Sequence, residues 1–168
     1  MVIEVVFRGD STYRRSVDTV PFVRLLSMAV SAALEELHRE LAEQGHPHLR
    51  PAHGYALNAI LNGYSTASTI APRLGMTKQG AAKLLQNLLD DGYVSFEEVE
   101  GGDGRRKPFM LTDLGREAIN LSVAIQQRIE DDWSEVVGPR RMATTRKSLQ
   151  SAVQAVSNGE LPAVRPAW

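Results

Sequence analysis

Apolar positions from Phe22 onward recur at spacings of three and four, through Leu26, Ala29, Val30, Ala33, Leu34, Leu37 and Leu41. That period predicts a long amphipathic helix, stopped by Gly45 and Pro47. Pro51, whose fixed φ suits a first helical turn, opens a second helix running through Tyr55, Leu57, Ile60 and Leu61 to Gly63. Ser65 and Thr66 offer a cap for a third helix ending at Leu74 and Gly75, with Pro72 inside it, which predicts a short or kinked helix. Thr77 caps a fourth, which carries Ala81, Leu84, Leu85, Leu88 and Leu89 on its buried side. Three short helices joined by tight turns form a helix-turn-helix pattern.

The period then changes. Tyr93 to Val99 alternates apolar with polar, and Phe109-Met110-Leu111 returns beside it across a glycine-rich link, which predicts a β-hairpin. Thr112 and Asp113 cap a fifth, long helix striped by Ala118, Leu121, Ile125, Ile129 and Trp133 and ending near Gly138. Pro139 opens a last helix with Met142, Leu149, Val153 and Val156 facing inward. Val2 to Phe7 reads as a short strand in an arm outside the core, and the residues from Gly159 on read as a tail.

The chain has 168 residues, 43% hydrophobic and 23% charged, enough for one globular domain or a domain with a dimerisation appendage. It has no cysteine, which excludes disulfides, thiolate metal sites and thiol redox chemistry. No apolar run approaches the roughly 18 residues of a membrane span, so a cytoplasmic protein without membrane contact is expected. A net charge of −1 looks unsuited to nucleic acid until the charges are located. Ser65 to Leu89 holds Arg73, Lys78 and Lys83 and no acid, and Arg105, Arg106 and Lys107 stand together at the hairpin tip. Six acids lie between Asp90 and Asp103, and Glu35 to Glu43 is also acidic, so the cationic elements are segregated from the anionic ones.

Thr77, Lys78 and Gln79 cluster at a helix N-terminus, where backbone N–H groups favour phosphate and where Lys and Gln reach base edges; the plainer reading is a capped, solvated first turn. Two glycines beside Asp103, Arg105 and Arg106 make a narrow cationic loop suited to a minor groove; the plainer reading is a charged surface turn.

The ordered run Ser65-Thr66, Ile70-Ala71, Leu74 to Gln79, Leu84, Leu88, Gly92-Tyr93-Val94, Asp103-x-Arg105-x-Lys107, Leu111-Thr112 and Gly115 resembles the winged helix-turn-helix of MarR-type transcriptional regulators. Trp133 with Val137-Gly138 also sits where that family joins its last two helices. The resemblance implies a mainly α fold with a small β-hairpin wing: a winged helix-turn-helix domain plus a helical dimerisation region. Its divisions would be an arm over 1–18, a dimerisation helix over 19–50, the DNA-binding region over 51–112, dimerisation helices over 113–158 and a tail over 159–168. It further implies a homodimer on double-stranded operator DNA, usually a repressor, with recognition helices in successive major grooves and wings in the flanking minor grooves. Carried over by position, Ser65, Thr66, Thr77, Lys78, Gln79, Gly80 and Lys83 belong to the helical DNA surface, and Asp103, Arg105, Arg106 and Lys107 to the wing. Gly104 stands where the family usually has a first wing arginine, and Gly80 costs the recognition helix up to about 1 kcal/mol relative to Ala.

The family often binds small anionic or lipophilic effectors, and the resemblance places Leu37, Leu41, His53, Tyr55 and Leu57 around that cleft, the leucines equally being plain core. His38, His46, His48 and His53 fall in one stretch, but a proline separates two of them on a loop, so neither a metal site nor a cofactor is expected. No G-x-S-x-G, phosphate loop or H-E-x-x-H occurs, and Asp90-Asp91 and Asp131-Asp132 are adjacent acids that point apart, so no catalytic residue and no enzyme is expected. Two functions follow: a ligand-responsive DNA-binding regulator, or a winged-helix dimer that binds a protein, or binds DNA without small-molecule control.

Overall fold

A computed structural model describes residues 20–96 and 108–157. The arm over 1–18, the hairpin tip with Asp103, Arg105, Arg106 and Lys107, and the tail over 159–168 lie outside the described residues. In chain order the elements are α1 (Phe22–Glu43), α2 (Pro51–Leu61), α3 (Ala67–Leu74), α4 (Lys78–Asp90), β1 (Val94–Phe96), β2 (Phe109–Leu111), α5 (Asp113–Val137) and α6 (Pro139–Val156). The fold is mainly α with a two-stranded antiparallel hairpin, as the periodicity predicts, Val94 pairing with Leu111 and Phe96 with Phe109.

The chain divides into two compact units, residues 1–32 and 33–168. In the first, the described part is the opening half of α1, where Phe22, Val23, Met28 and Val30 are exposed. The second unit holds the core. Leu41, Leu57, Ile70, Leu85, Leu88 and Val94 are its largest fully buried side chains, contributed by five different elements. Helix α2 contacts α3, α4, α5 and β2, because Ala56, Leu57 and Ile60 bury one face while Ala52, Tyr55 and Ala59 pack beside them. Each fully buried leucine stabilises the fold by about 1.5–3 kcal/mol relative to exposure.

The helix ends follow from local chemistry. Thr66, Thr77 and Thr112 each accept a hydrogen bond from the backbone N–H three residues on, satisfying a donor that the first turn leaves open. Gly75 closes α3 in the left-handed conformation at φ 65°, and Gly63 follows α2 at φ 87°, where a side chain would be strained. With Pro72 in its last turn, α3 is only eight residues long.

Tyr93 ties the end of α4 to the rest. Its N–H donates to Leu88, its carbonyl accepts from Thr112 at 3.2 Å, and its buried hydroxyl meets Nδ1 of the buried His46 at 3.0 Å. Gly115 passes so close to this point that a Cβ there would overlap the Tyr93 carbonyl oxygen. Burial raises the Tyr93 phenol pKa, and the nearby Asp91 adds to it, so the hydroxyl stays protonated for this bond.

One expectation is corrected. The apolar stripe of α6 has no buried residue: Met142 and Leu149 are half-buried, and Val153 and Val156 are exposed. Trp133 at the end of the α5 stripe is exposed as well, whereas Ala118, Ile125 and Ile129 are buried. Periodicity identifies an apolar face without identifying what covers it, and within these residues this one is covered only in part.

Gly115→Ala is expected to destabilise the fold by about 1–3 kcal/mol through forced displacement of β1 from α5, read as a lower urea midpoint. Tyr93→Phe should cost about 1–3 kcal/mol by leaving His46 Nδ1 buried and unpaired.

Candidate nucleic-acid interface and adjoining cavity

Helix α4 is two-faced. Ala81, Leu84, Leu85 and Leu88 are buried, and Lys78, Gln79, Gly80, Lys83, Gln86 and Asn87 are exposed. Glycine at position 80 keeps the first turn low, and a Cβ there would meet Thr77 Oγ1 at 3.3 Å. Thr77 itself is committed to the cap, accepting from Gly80 N at 3.1 Å. The candidates Lys78, Gln79 and Lys83 therefore share one polar, uncovered face with the cap at its head. Gln86 and Asn87 complete that face; helical spacing from Gln79 and Lys83 identifies both, although Gln86 also donates to Asp90 at 2.8 Å.

The turn before α3 is built differently. Thr66 and Thr69 form a reciprocal cap, so the Thr66 hydroxyl is engaged with its own helix. The Ser65 carbonyl accepts from Phe109 N at 2.7 Å, which fastens β2 to the start of the helix-turn-helix. Arg73, one of three cations between Ser65 and Leu89, lies over the Tyr64 ring at 3.3 Å from its centroid. Phe96 and Phe109 pack ring against ring, with centroids 4.8 Å apart, at the root of the hairpin. The wing candidates Asp103, Arg105, Arg106 and Lys107 lie beyond that root, outside the described residues.

Behind the helix-turn-helix, a cavity of about 150 Å³ opens between the second half of α1, α2 and α5. Leu37, Leu41, Tyr55 and Leu57 line it, together with Leu49, Arg50, Asn58, Ile119, Ser122 and Gln126. His53 is not among the lining residues. Its Nδ1 accepts from Arg50 N at 3.1 Å, which fixes the imidazole at the start of α2. The imidazole on the cavity wall is His38, and both of its ring nitrogens are buried without a hydrogen-bond partner. Its place is legible in the period: position 38 falls between Leu34 and Leu41 on the apolar stripe, where a polar side chain is out of pattern.

Burial is the main cause that lowers the pKa of both histidines. For His38 the charges of Arg50 and His53 act in the same direction; for His53 the His48 backbone and Asp91 oppose it. Of the other two, His46 is bonded to Tyr93 and His48 is exposed on the loop. Among the described residues no three of His, Asp or Glu gather as metal ligands, and no helix is long and apolar enough to cross a membrane.

Ion pairs brace the cavity from outside. Arg128 of α5 reaches Glu36 at 3.2 Å, Glu40 and Asp132, and Arg39 pairs with Glu36 and Glu43 along α1. Arg146 of α6 pairs with Glu130 of α5. These are largely exposed pairs, which solvent screens, so each adds little to the stability of the fold.

Residues 49–106 match the model of the MarR family. No curated protein matches the chain. Among solved structures, the chain is similar to MepR, a transcription regulator of the Staphylococcus aureus multidrug efflux pump MepA, with a TM-score of 0.63 at 17% identity over 82% of this chain and 99% of that one. It is also similar to the Mycobacterium tuberculosis MarR family protein Rv2887 in complex with DNA, with a TM-score of 0.62 at 18% identity over 79% of this chain and 98% of that one. The complex of Rv2887 with salicylic acid gives a TM-score of 0.60 at 19% identity, covering 82% and 99%.

Thr77→Ala should destabilise the protein by about 1 kcal/mol through loss of the α4 cap, measured by thermal unfolding. Acid should also weaken the fold. Since His38 and His53 have folded pKa values below the unfolded value of about 6.5, the unfolded chain binds more protons, and stability is lost as pH falls through that value. The urea midpoint is expected to be lower at pH 5.5 than at 7.5, and the difference should shrink in His38→Gln.

Proposed function

We propose that this chain, a MarR-family winged helix-turn-helix protein, is a sequence-specific DNA-binding transcriptional regulator and not an enzyme. It acts as a homodimeric repressor that leaves a pseudopalindromic operator when a small molecule occupies the α1–α2–α5 cavity. The observation that carries the reading is the uncovered polar face of α4, with Lys78, Gln79, Lys83 and Asn87 standing on a helix that the rest of the fold holds by its opposite side. Gln and Asn are bidentate readers of adenine in the major groove, Lys reads guanine or phosphate, and the capped N-terminus favours phosphate. Arg105, with Asp103 to orient it, takes the adjoining minor groove.

Two further observations support the dimer and the ligand. Phe22, Val23, Met28 and Val30 are exposed on α1, Val136 and Val137 at the end of α5, and Val153 and Val156 at the end of α6; uncovered apolar groups of this kind mark association surfaces. The cavity shares α2 with the helix-turn-helix: Tyr55 and Leu57 face the one, Ala56 and Ile60 the core with the other. A ligand preferring the spacing of the two α4 helices that does not fit DNA would draw the population toward it. Rv2887, with the same fold, has been solved with DNA and with salicylic acid, which is in keeping with both halves of the proposal.

A mobility-shift assay with the DNA upstream of the protein's own gene tests it, and the absence of a complex at low salt would leave only a protein-interaction role. Arg105→Ala is expected to weaken the complex and to lower the slope of log affinity against log salt by about one for each chain bound. An unchanged slope would remove the wing from the interface.

A further inference from the structure

Glycine at position 80 weakens the first turn of α4, and the space it leaves open is bounded by two side chains. A Cβ there would stand 3.3 Å from Thr77 Oγ1 and 3.9 Å from Met76 Sδ, so the thioether lies beside the capped end of α4 with no side chain of residue 80 to cover it. Met76 is half-buried in the turn between α3 and α4, its N–H donating to the Ala71 carbonyl at 3.0 Å and its side chain packed against the core. It precedes the Thr77 cap, and Ala81, the fourth residue of α4, is fully buried. The two occupy the positions of a hydrophobic staple, which sets the angle at which the chain enters a helix. We propose that Met76 is an oxidation site: a hydroperoxide converts its thioether to the sulfoxide, which uncaps α4 and weakens the complex with DNA. The last step rests on the reading of α4 as the DNA-reading helix; the oxidation and the uncapping do not.

In the step itself a sulfur lone pair attacks one peroxide oxygen, the O–O bond breaks and an S–O bond forms, and the other oxygen leaves protonated, as water when the oxidant is hydrogen peroxide. Sulfur is oxidised by two electrons and the peroxide is reduced by two, so no further reactant is needed. The chain has no cysteine to consume the oxidant first. The product is polar where the staple needs an apolar side chain, and its oxygen is a strong hydrogen-bond acceptor. The adjacent donor is Gly80 N–H, which Thr77 Oγ1 holds at 3.1 Å, and a sulfoxide oxygen beside that bond competes for the same proton. Helix α4 is sensitive to this loss because its first turn has one side-chain cap bond and no acid, whereas α3 is capped reciprocally by Thr66 and Thr69. Met28, Met110 and Met142 lie within α1, β2 and α6, and none of them adjoins a capping residue. Methionine sulfoxide reductases reverse the change.

The full chain is treated with hydrogen peroxide at neutral pH, mapped by peptide mass spectrometry, and compared with the untreated chain by thermal unfolding and by mobility shift on the DNA upstream of its own gene. Wild type is expected to gain an oxygen at Met76 as well as at the exposed Met28 and Met110. Its melting temperature should fall by about 2–4 °C, and its Kd for the DNA should rise roughly fivefold, as for loss of one cap. Met76→Leu, which keeps an apolar side chain of similar volume without the sulfur, is expected to lose both effects, and Met110→Leu to keep them. The wild-type map needs no variant to fold. Met76 left unmodified while Met28 and Met110 are converted, a fall in melting temperature that persists in Met76→Leu, or an unchanged Kd with Met76 oxidised each overturns the proposal. Absence of a DNA complex before oxidation is a different failure: it removes the reading of α4, while the mass and melting measurements still decide the oxidation and the uncapping without DNA.

Discussion

The carbonyl oxygen of Tyr93 lies where three segments of the chain converge, and the space around it is narrow. Thr112 N–H takes its lone pair, Gly115 passes without a side chain, and on the other side of the same residue the phenol reaches His46. Steric exclusion at Gly115 fixes the distance between α5 and the start of β1, and the buried His46–Tyr93 bond fixes the loop after α1 to the same point. The end of α4 is thereby joined to the root of the hairpin, to α5 and to the connection between α1 and α2. Close packing of this kind transmits displacement instead of absorbing it.

Helix α2 depends on that frame and serves two sides of it. One face supplies Leu57 and Tyr55 to the cavity wall, and the other buries Ala56 and Ile60 with α3 and α4. The cavity has almost no fixed charge apart from Arg50, while the helix-turn-helix carries its cations on its outer surface. The chain's net charge of −1 reflects neither environment. The charge environment of each place is set locally: by a desolvated imidazole and Arg50 inside, and by exposed lysines and helix-end N–H groups outside.

Much of this was legible in the order of residues. Apolar spacing placed six helices, and Thr66, Thr77 and Thr112 marked three starts, because a hydroxyl three residues ahead of an open N–H is a local signal. Gly75 and Pro72 marked the limits of α3 for equally local reasons. Burial follows the period along α5, at Ala118, Ile125 and Ile129, but not along α6. The stripe of α6 has the right period and no buried residue, and nothing in a period distinguishes the two cases. At the cavity, the four apolar or aromatic candidates line the wall, but the imidazole on it is His38 instead of His53. The period of α1 puts His38 on the stripe between Leu34 and Leu41, whereas His53 is held at the start of α2 by its bond from Arg50 N, which only the folded chain shows. By sequence Arg73 is one of three cations between Ser65 and Leu89, and only the tertiary placement of Tyr64 puts an aromatic ring beneath it.

The hydrogen bond from Phe109 N to the Ser65 carbonyl has a bearing on what regulation of such a protein can achieve. It fastens the second strand of the hairpin to the residue that precedes the Thr66 cap, while Tyr93 fastens the first strand to the end of α4. Helix α4 and the hairpin root are thus each tied by main-chain hydrogen bonds to the same helix-turn-helix frame. Under the proposed function, control exerted from the cavity would govern how often an operator is occupied, and the choice of operator would stay with the side chains of α4.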